Sequence, residues 1–449
     1  MHLTILNSLF DEYFLLLKME TSIENSKPWS YSKRFFTLLS IYFAFLMLDF
    51  TSSDELYPHF VYVIMTPYTE FWHWIVPWFG ENVLQLSYPI TVRPNGSGDT
   101  TYNYVLQLLW IIFSLFITIT WTILDRKRPS YHQFKYWSRI VIRYFLAYML
   151  FVYGFVKVIK LQFPFPDLIR LTEPYGDSTP MGLAWTFVGY SSGYNLFTGG
   201  AEVLAGILIF YRRTTLFGSL VAMTVMTNVV AMNFAYDIPV KIFSLNLLIM
   251  ATWIAWYDKD RLINFFFLNK ISLPSSMGYF YHTKWKKIIQ LSLKTVVILF
   301  ALYSTLYSNL NMAKEYGDAA PKAPLYGIYD VKTYSLQGKI LPPLTTDSIR
   351  WKRIIISYPG YARVTKMNDS TFWIKLKVDT IAKKLNFTSN EDPEDKFTLN
   401  YSLKQKDELL INGMINKDSV AIATKRFDHT QFNLVKTGFN WINEYSNNK

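Results

Sequence analysis

Apolar residues fall into long runs between positions 35 and 307, and beyond Asn311 the pattern switches to alternation with a period of two. Seven runs approach the roughly 20 mostly apolar residues that cross a bilayer: about 35–50, 103–124, 140–160, 196–211, 216–236, 239–256 and 287–307. The first and fourth are short and recruit flanking residues. A further aromatic stretch, Tyr57 to Phe79, holds Trp72, Trp74 and Trp78 but also Glu70, His73 and two prolines, which suits an interface-lying segment better than a span. In the tail, Phe372, Ile374, Leu376 and Val378 alternate with Trp373, Lys375, Lys377 and Asp379, and Phe397, Leu399, Tyr401 and Leu403 alternate with polar neighbours. Similar runs occupy 326–334, 351–358, 361–367, 383–388, 408–415, 419–426 and 430–436, separated by turn residues at Gln337-Gly338, Pro359-Gly360, Asn368-Asp369 and Asn416-Lys417-Asp418. Short strands in tight hairpins imply an antiparallel barrel. The expected fold is a polytopic α-helical membrane protein of about seven transmembrane helices, followed by a C-terminal all-β antiparallel barrel.

Basic residues orient the spans. Lys33 and Arg34 precede the first; Arg126, Lys127 and Arg128 follow the second; Arg212 and Arg213 follow the fourth; Lys259, Arg261, Lys270, Lys284, Lys286 and Lys287 lie between the sixth and seventh. The other loops carry Asp54, Glu55, Glu70, Glu81 and Asp99, or a mixed set. The positive-inside bias then puts the N-terminus in the cytoplasm and the barrel in the periplasm of a bacterial inner membrane. The first residues, Met1 to Lys18, lack a basic start and a small-residue cleavage site, so no cleaved signal peptide is expected, and Met19 is an alternative start.

Composition agrees with this layout: 51% of residues are hydrophobic, 18% aromatic and only 17% charged. The net charge of +12 sits in patches beside apolar runs, which argues against nucleic acid as a partner and for membrane lipid. The absence of cysteine excludes disulfides, thiol catalysis, covalent haem and iron–sulfur clusters held by this chain. No metal site is suggested. The histidines fall in loops, with none in the middle of a span.

Candidate chemistry lies among polar residues inside the spans. Glu202 sits about two turns into an apolar helix, where an ionisable group costs at least a few kcal/mol and needs a partner or a purpose. Lys157, near the end of the third span, would satisfy it as an ion pair; alone it would snorkel to the surface. Glu202 and Lys157 are the candidate catalytic residues. Asn228, Asn233, Asp237 and Lys241, with Trp185 and Tyr190 from the aromatic loop before the fourth span, are candidate cofactor-binding residues, and Asn246 adds to the set. The asparagines also suit interhelical hydrogen bonding, and Asp237 in Asp237-Ile238-Pro239 also suits a helix cap. Gly96-Ser97-Gly98-Asp99-Thr100-Thr101 reads as a flexible loop ending in an N-cap, or as an anion cradle at a helix start. All these groups belong to the outer half of the bilayer or its edge, where they are expected to share one chamber roofed by the aromatic loop.

At Gly154-Phe155-Val156-Lys157, Gly200-Ala201-Glu202 with Gly206 and Arg212-Arg213, and Tyr236-Asp237-Ile238-Pro239-Val240-Lys241, the chain resembles the DoxX family of four-helix membrane proteins. The resemblance covers about residues 139–268, between a cytoplasmic segment (1–34) with two further spans (35–138) and a last span (269–310) before the barrel (311–449). Some members of that family are similar to subunits of a thiosulfate:quinone oxidoreductase, so the resemblance implies a redox-associated subunit that holds a quinone or similar isoprenoid, with a redox partner subunit supplying electrons. The tail resembles a lipocalin-type barrel, with Gly327-Ile328-Tyr329 in place of its glycine–spacer–tryptophan motif and Trp441-Ile442-Asn443-Glu444 placed to plug one end. Three further expectations stand beside the quinone reading: a non-catalytic anchor whose barrel binds a lipid or partner protein, an enzyme similar to the vitamin-K-dependent membrane carboxylases with Lys157 as base, and a small-solute transporter. Whether the chain is an enzyme stays open at this stage.

Overall fold

The computed structural model describes residues 28–48, 59–92, 98–272, 283–390, 396–405, 407–415 and 417–446. The start at Met1 or Met19, Gly96-Ser97, His282 and Asn416 lie outside the described residues. The chain divides into two compact units, one of Met1–Ile159 with Asn195–Leu310 and the other of Lys160–Tyr194 with Asn311–Lys449. The first is helical and the second is built on a β-barrel.

Each of the seven apolar runs folds as a helix: α1 (Tyr31–Leu46), α3 (Thr101–Leu124), α4 (His132–Val158), α7 (Ser192–Phe210), α8 (Thr215–Ala235), α9 (Lys241–Trp256) and α11 (Lys284–Met312). The aromatic stretch forms α2 (His59–Asn82), and α10 (Lys259–Phe266) is short and amphipathic. Among the described residues, five helices are long and apolar enough to cross a membrane; α9 is apolar but only 16 residues long. The chain is thus a helical membrane protein with a β-barrel. α2 departs from the expected surface segment, because Trp72 and Val76 enter the core of the helical unit and the Trp72 ring meets Trp110 and Phe113 of α3 edge-on.

α4 organises the unit. Its buried face repeats at helical spacing through Arg139, Ile142, Arg143, Leu146, Leu150, Gly154 and Lys157, so charged groups stand at both ends of one apolar stripe. It therefore begins well before the apolar run at 140. α7 crosses it antiparallel at glycines. A Cβ on Gly199 would lie 2.6 Å from the Gly154 carbonyl oxygen, and one on Gly154 would lie 2.9 Å from the Gly199 carbonyl oxygen. Only hydrogen side chains allow this backbone approach.

The basic residues gather at one end of the helical unit. The Arg34 guanidinium donates to the carbonyls of Arg126 (3.0 Å) and Arg128 (2.7 Å), and Trp29 Nε1 donates to His132 Nε2 (2.9 Å). Arg139 pairs with Asp258 at 2.5 Å, and Asp258 also meets Arg261 at 3.0 Å. At the opposite end, α8 and α9 form a tight antiparallel hairpin.

In the other unit, nine strands are β1 (Gly327–Leu336), β2 (Lys339–Ile340), β3 (Trp351–Ile356), β4 (Gly360–Lys366), β5 (Thr371–Asp379), β6 (Lys384–Ser389), β7 (Lys396–Gln405), β8 (Glu408–Ile415) and β9 (Asp418–Phe427). β1 and β3 to β9 pair antiparallel in chain order, and β9 returns to β1, closing an eight-stranded barrel; β2 only extends the β1 hairpin. Gln337 (φ 51°) and Gly338 (φ 78°) make that turn in the left-handed region expected of them. Eight strands leave an interior wide enough for side chains or for one small ligand, and Trp351, Tyr334, Phe387 and Tyr401 are buried in this one. Burial pushes the Tyr334 phenol up to about 12.

The run Ile354-Ile355-Ile356 breaks the alternation for a reason. Ile354 and Ile356 face the barrel interior, whereas Ile355, with Ile328, is covered from outside by Leu168 of α5 (Leu168–Thr172). The loop after α4 is thus built into the barrel's unit. Lys160 pairs with Asp318 at 2.7 Å, the amide of Phe165 donates to the same carboxylate, and Tyr358 donates to Asp167. Two expected features of the tail are absent. Residues 430–436 form a 3-10 turn and the short helix α12 (Asn433–Lys436) rather than a strand, because Asp428 caps the chain at Thr430. Trp441 is 91% exposed and Ile442 77%, so this segment plugs nothing.

Candidate functional site

Lys157 and Glu202 meet as expected. The Lys157 ammonium donates to both Glu202 oxygens, at 3.0 and 2.9 Å, and to the carbonyl of Tyr153 at 3.3 Å. The residues retain 6% and 2% exposure. The antiparallel crossing of α4 and α7 at Gly154 and Gly199 sets this contact, since it brings Lys157 beside the next turn of α7. Each charge offsets part of the other's desolvation cost, and a third neighbour, the Tyr153 ring, lies 5.7 Å from the ammonium.

Of the remaining candidates, Asp237 and Lys241 bind each other, and Asn233 and Asn246 each bond to a residue on another helix. Asn233 donates to Ser244 Oγ at 2.9 Å, joining α8 to α9. Asp237 is exposed, in the left-handed region (φ 50°) just past the end of α8, and binds Lys241 at 2.8 Å. It does not cap α9. That role falls to Asp99, whose oxygens accept from the amides of Lys241 (2.8 Å) and Ile242 (3.0 Å). The positive end of α9 is therefore occupied by a carboxylate of the chain itself. Thr100, beside it, is the N-cap of α3. Asn246 exchanges two amide hydrogen bonds with Gln107 of α3, at 3.1 and 3.3 Å. Asn228 is exposed on the outward face of α8.

Trp185 and Tyr190 belong to α6 (Pro180–Tyr190) in the barrel's unit, where Trp185 meets Phe163 edge-on at 4.8 Å and Tyr190 tilts against Phe165 at 6.2 Å. The aromatic loop is folded onto its own unit because Gly189 lets the chain pass close to the Pro164 carbonyl, 2.2 Å from where a Cβ would stand. Among the described residues of the helical unit, Lys157 binds Glu202, Asn233 binds Ser244, Asn246 binds Gln107 and Lys241 binds Asp237. Among the described residues there is no group of three or more His, Asp or Glu side chains able to hold a metal.

Two cavities stand out among the described residues. One, of about 410 Å³, is a groove on the outward face of α9 lined by Leu245, Leu248, Ile249, Thr252, Trp253 and Trp256. The other, of about 620 Å³, opens beside the β3–β4 turn, between Tyr358-Pro359-Gly360-Tyr361 and the ends of β5 and β6; its floor is Ile356, Leu376 and Val378, and Lys375 and Lys377 stand at its side. Neither is lined by Lys157, Glu202, Asn233 or Asp237. Sequence reasoning missed Asp99 and Gln107 as partners, and the buried Arg139–Asp258 pair. The one available signal was a charge at the edge of each apolar run, which does not say which edges meet.

No protein-family model and no solved structure matches the chain. Over 126 residues it is 36% identical to YwoB, an uncharacterised protein of Bacillus subtilis (strain 168), a match that takes in 28% of this chain and 79% of YwoB. The chain belongs to the YwoB family. The match takes in less than a third of the chain, so kinship with YwoB accounts for part of it only.

Proposed function

We propose that the chain is a membrane-anchored recognition protein, in which a DoxX-like helical unit is a scaffold and the barrel's unit takes a ligand with an apolar body and an anionic group, such as a lipid. The observation that carries this reading is the mutual satisfaction of the polar groups inside the helices: Lys157 with Glu202, Asn233 with Ser244, Asn246 with Gln107. Side chains spent on holding helices together are not free for substrate. In the barrel's unit, the apolar cavity over Ile356, Leu376 and Val378, with Lys375 and Lys377 at its side, is the place for one. Gathering of the basic residues at one end supports a cytoplasmic N-terminus and a periplasmic barrel in a bacterial inner membrane.

The test is titration of a fluorescent anionic lipid probe against the purified protein. Binding that weakens in Lys375→Glu/Lys377→Glu supports the reading; equal binding by both proteins removes it.

A quinone-linked, redox-associated role is a second reading, favoured by one fact. A buried ion pair is often no more stabilising than well-packed apolar residues, so packing alone does not explain why Lys157 and Glu202 are charged. In this reading Lys157 donates to a quinone carbonyl and Glu202 handles the proton, with electrons from a partner subunit. Mass spectrometry of molecules retained in mild detergent tests it. A quinone present in the wild type and lost in Glu202→Gln supports the role, and retention of the same molecules by both refutes it.

A further inference from the structure

Arg143 is a buried cation with no carboxylate beside it among the described residues. It keeps 5% exposure on α4, its Nη1 faces Thr215 Oγ1 at 3.4 Å, its guanidinium lies 5.1 Å from the Tyr144 ring, and its Nε has no hydrogen-bond partner in the structure. One turn earlier Arg139 is also buried, yet it is neutralised by Asp258. Two more cations face Arg143. Arg212, in the turn between α7 and α8, and Lys294 of α11 are both within its electrostatic reach, and the Lys294 ammonium stands 5.1 Å from the Tyr211 ring. Among the described residues none of the three makes an ion pair. Tyr144, Tyr136 and Arg139, all on α4, are the other titratable groups near Arg143.

Three like charges from three separate elements repel one another, and one of them is desolvated. An unpaired buried charge costs several kcal/mol unless a counter-ion arrives. We propose that Arg143, Arg212 and Lys294 form a binding site for a phosphate group at the basic end of the helical unit. Arg143 supplies a planar fork of donors, and Lys294 and Arg212 supply point charge at the rim. The rings of Tyr144, Phe210 and Tyr211 form apolar walls beside it. This end has the features of a lipid headgroup zone. α10 exposes Phe265 and Phe266 and is followed by exposed Phe267, while Lys259 lies over the Trp256 ring at 5.0 Å. Basic pockets between membrane helices commonly hold phospholipid headgroups. The site is independent of the role given to the barrel.

The experiment uses the full chain, purified in mild detergent and stripped of lipid. Its thermal unfolding is followed with added phosphatidylglycerol, phosphatidylcholine, or inorganic phosphate, at matched ionic strength. The expected result is a rise in Tm with phosphatidylglycerol alone, and an apparent affinity about fivefold weaker for each of Arg143→Gln and Lys294→Gln. Arg143→Gln should also raise the lipid-free Tm, because it removes an unpaired buried charge; a merely structural arginine would lower it. Stabilisation by inorganic phosphate alone supports the phosphate site and assigns it to a free anion instead of a headgroup. If Arg143→Gln does not accumulate, Arg212→Gln/Lys294→Gln carries the same comparison. A response that is equal for both lipids, or unchanged in the variants, overturns the proposal.

Discussion

Replacing Glu202 by Gln keeps the side chain's shape and removes its charge, leaving the Lys157 ammonium with neutral acceptors alone, the new amide oxygen and the Tyr153 carbonyl at 3.3 Å. Breaking one side of a buried pair costs about 3–5 kcal/mol, whereas exchanging both partners for apolar residues of similar volume is often neutral or stabilising by about 1–4 kcal/mol. Three variants therefore separate a helix-locking pair from a chemical one: Glu202→Gln, Lys157→Met, and Lys157→Met/Glu202→Leu. At roughly 2–4 °C per kcal/mol for a unit of about 150–250 residues, each single variant should lose on the order of 6–20 °C in Tm. The double variant should recover most of that loss. Melting of detergent-purified protein, followed by tryptophan fluorescence, is the assay. A double variant no more stable than the worse single one would refute the argument, as would single variants that melt with the wild type. Both results would mean that the two charges do not hold each other.

The α4–α7 contact makes a second prediction. Gly199→Ala should destabilise by about 1–3 kcal/mol, because its Cβ meets backbone atoms that cannot give way. Gly200→Ala, with nothing within 4 Å, should be neutral or stabilising by up to about 1 kcal/mol, and melting curves of the two compare them directly. In the barrel's unit, Leu168→Ala should cost about 2–5 kcal/mol by uncovering Ile328 and Ile355, and limited proteolysis should then cut the 160–194 loop faster than in the wild type. That unit should also lose stability in acid. Burial and Lys322 hold the half-buried His429 below its ordinary 6.5, so the unfolded chain takes up its proton more readily and stability falls as pH drops through that value. The amides of Arg350 and Ile349 hold Asp347 below the ordinary carboxylate range, which adds a loss at lower pH. A barrel equally stable at pH 7 and pH 5 would contradict the His429 part.

The sequence determined the elements. Seven apolar runs gave seven helices because length and hydropathy are local properties. The alternation at Phe372–Asp379 and Phe397–Leu403, with turn residues such as Gln337-Gly338, gave strands in a closed barrel for the same reason. It also singled out Glu202 and named Lys157 as its partner, since a charge in an apolar helix demands a counter-charge and few were available. Which other polar groups meet was decided only by tertiary structure. Asp99 caps α9 from 142 residues away in the chain, Gln107 finds Asn246, and Leu168 covers Ile355 on the barrel wall. Such pairings depend on how helices cross and on what a wall leaves uncovered. Glycine contacts of a few ångströms fix the crossings, and neither hydropathy nor spacing records them.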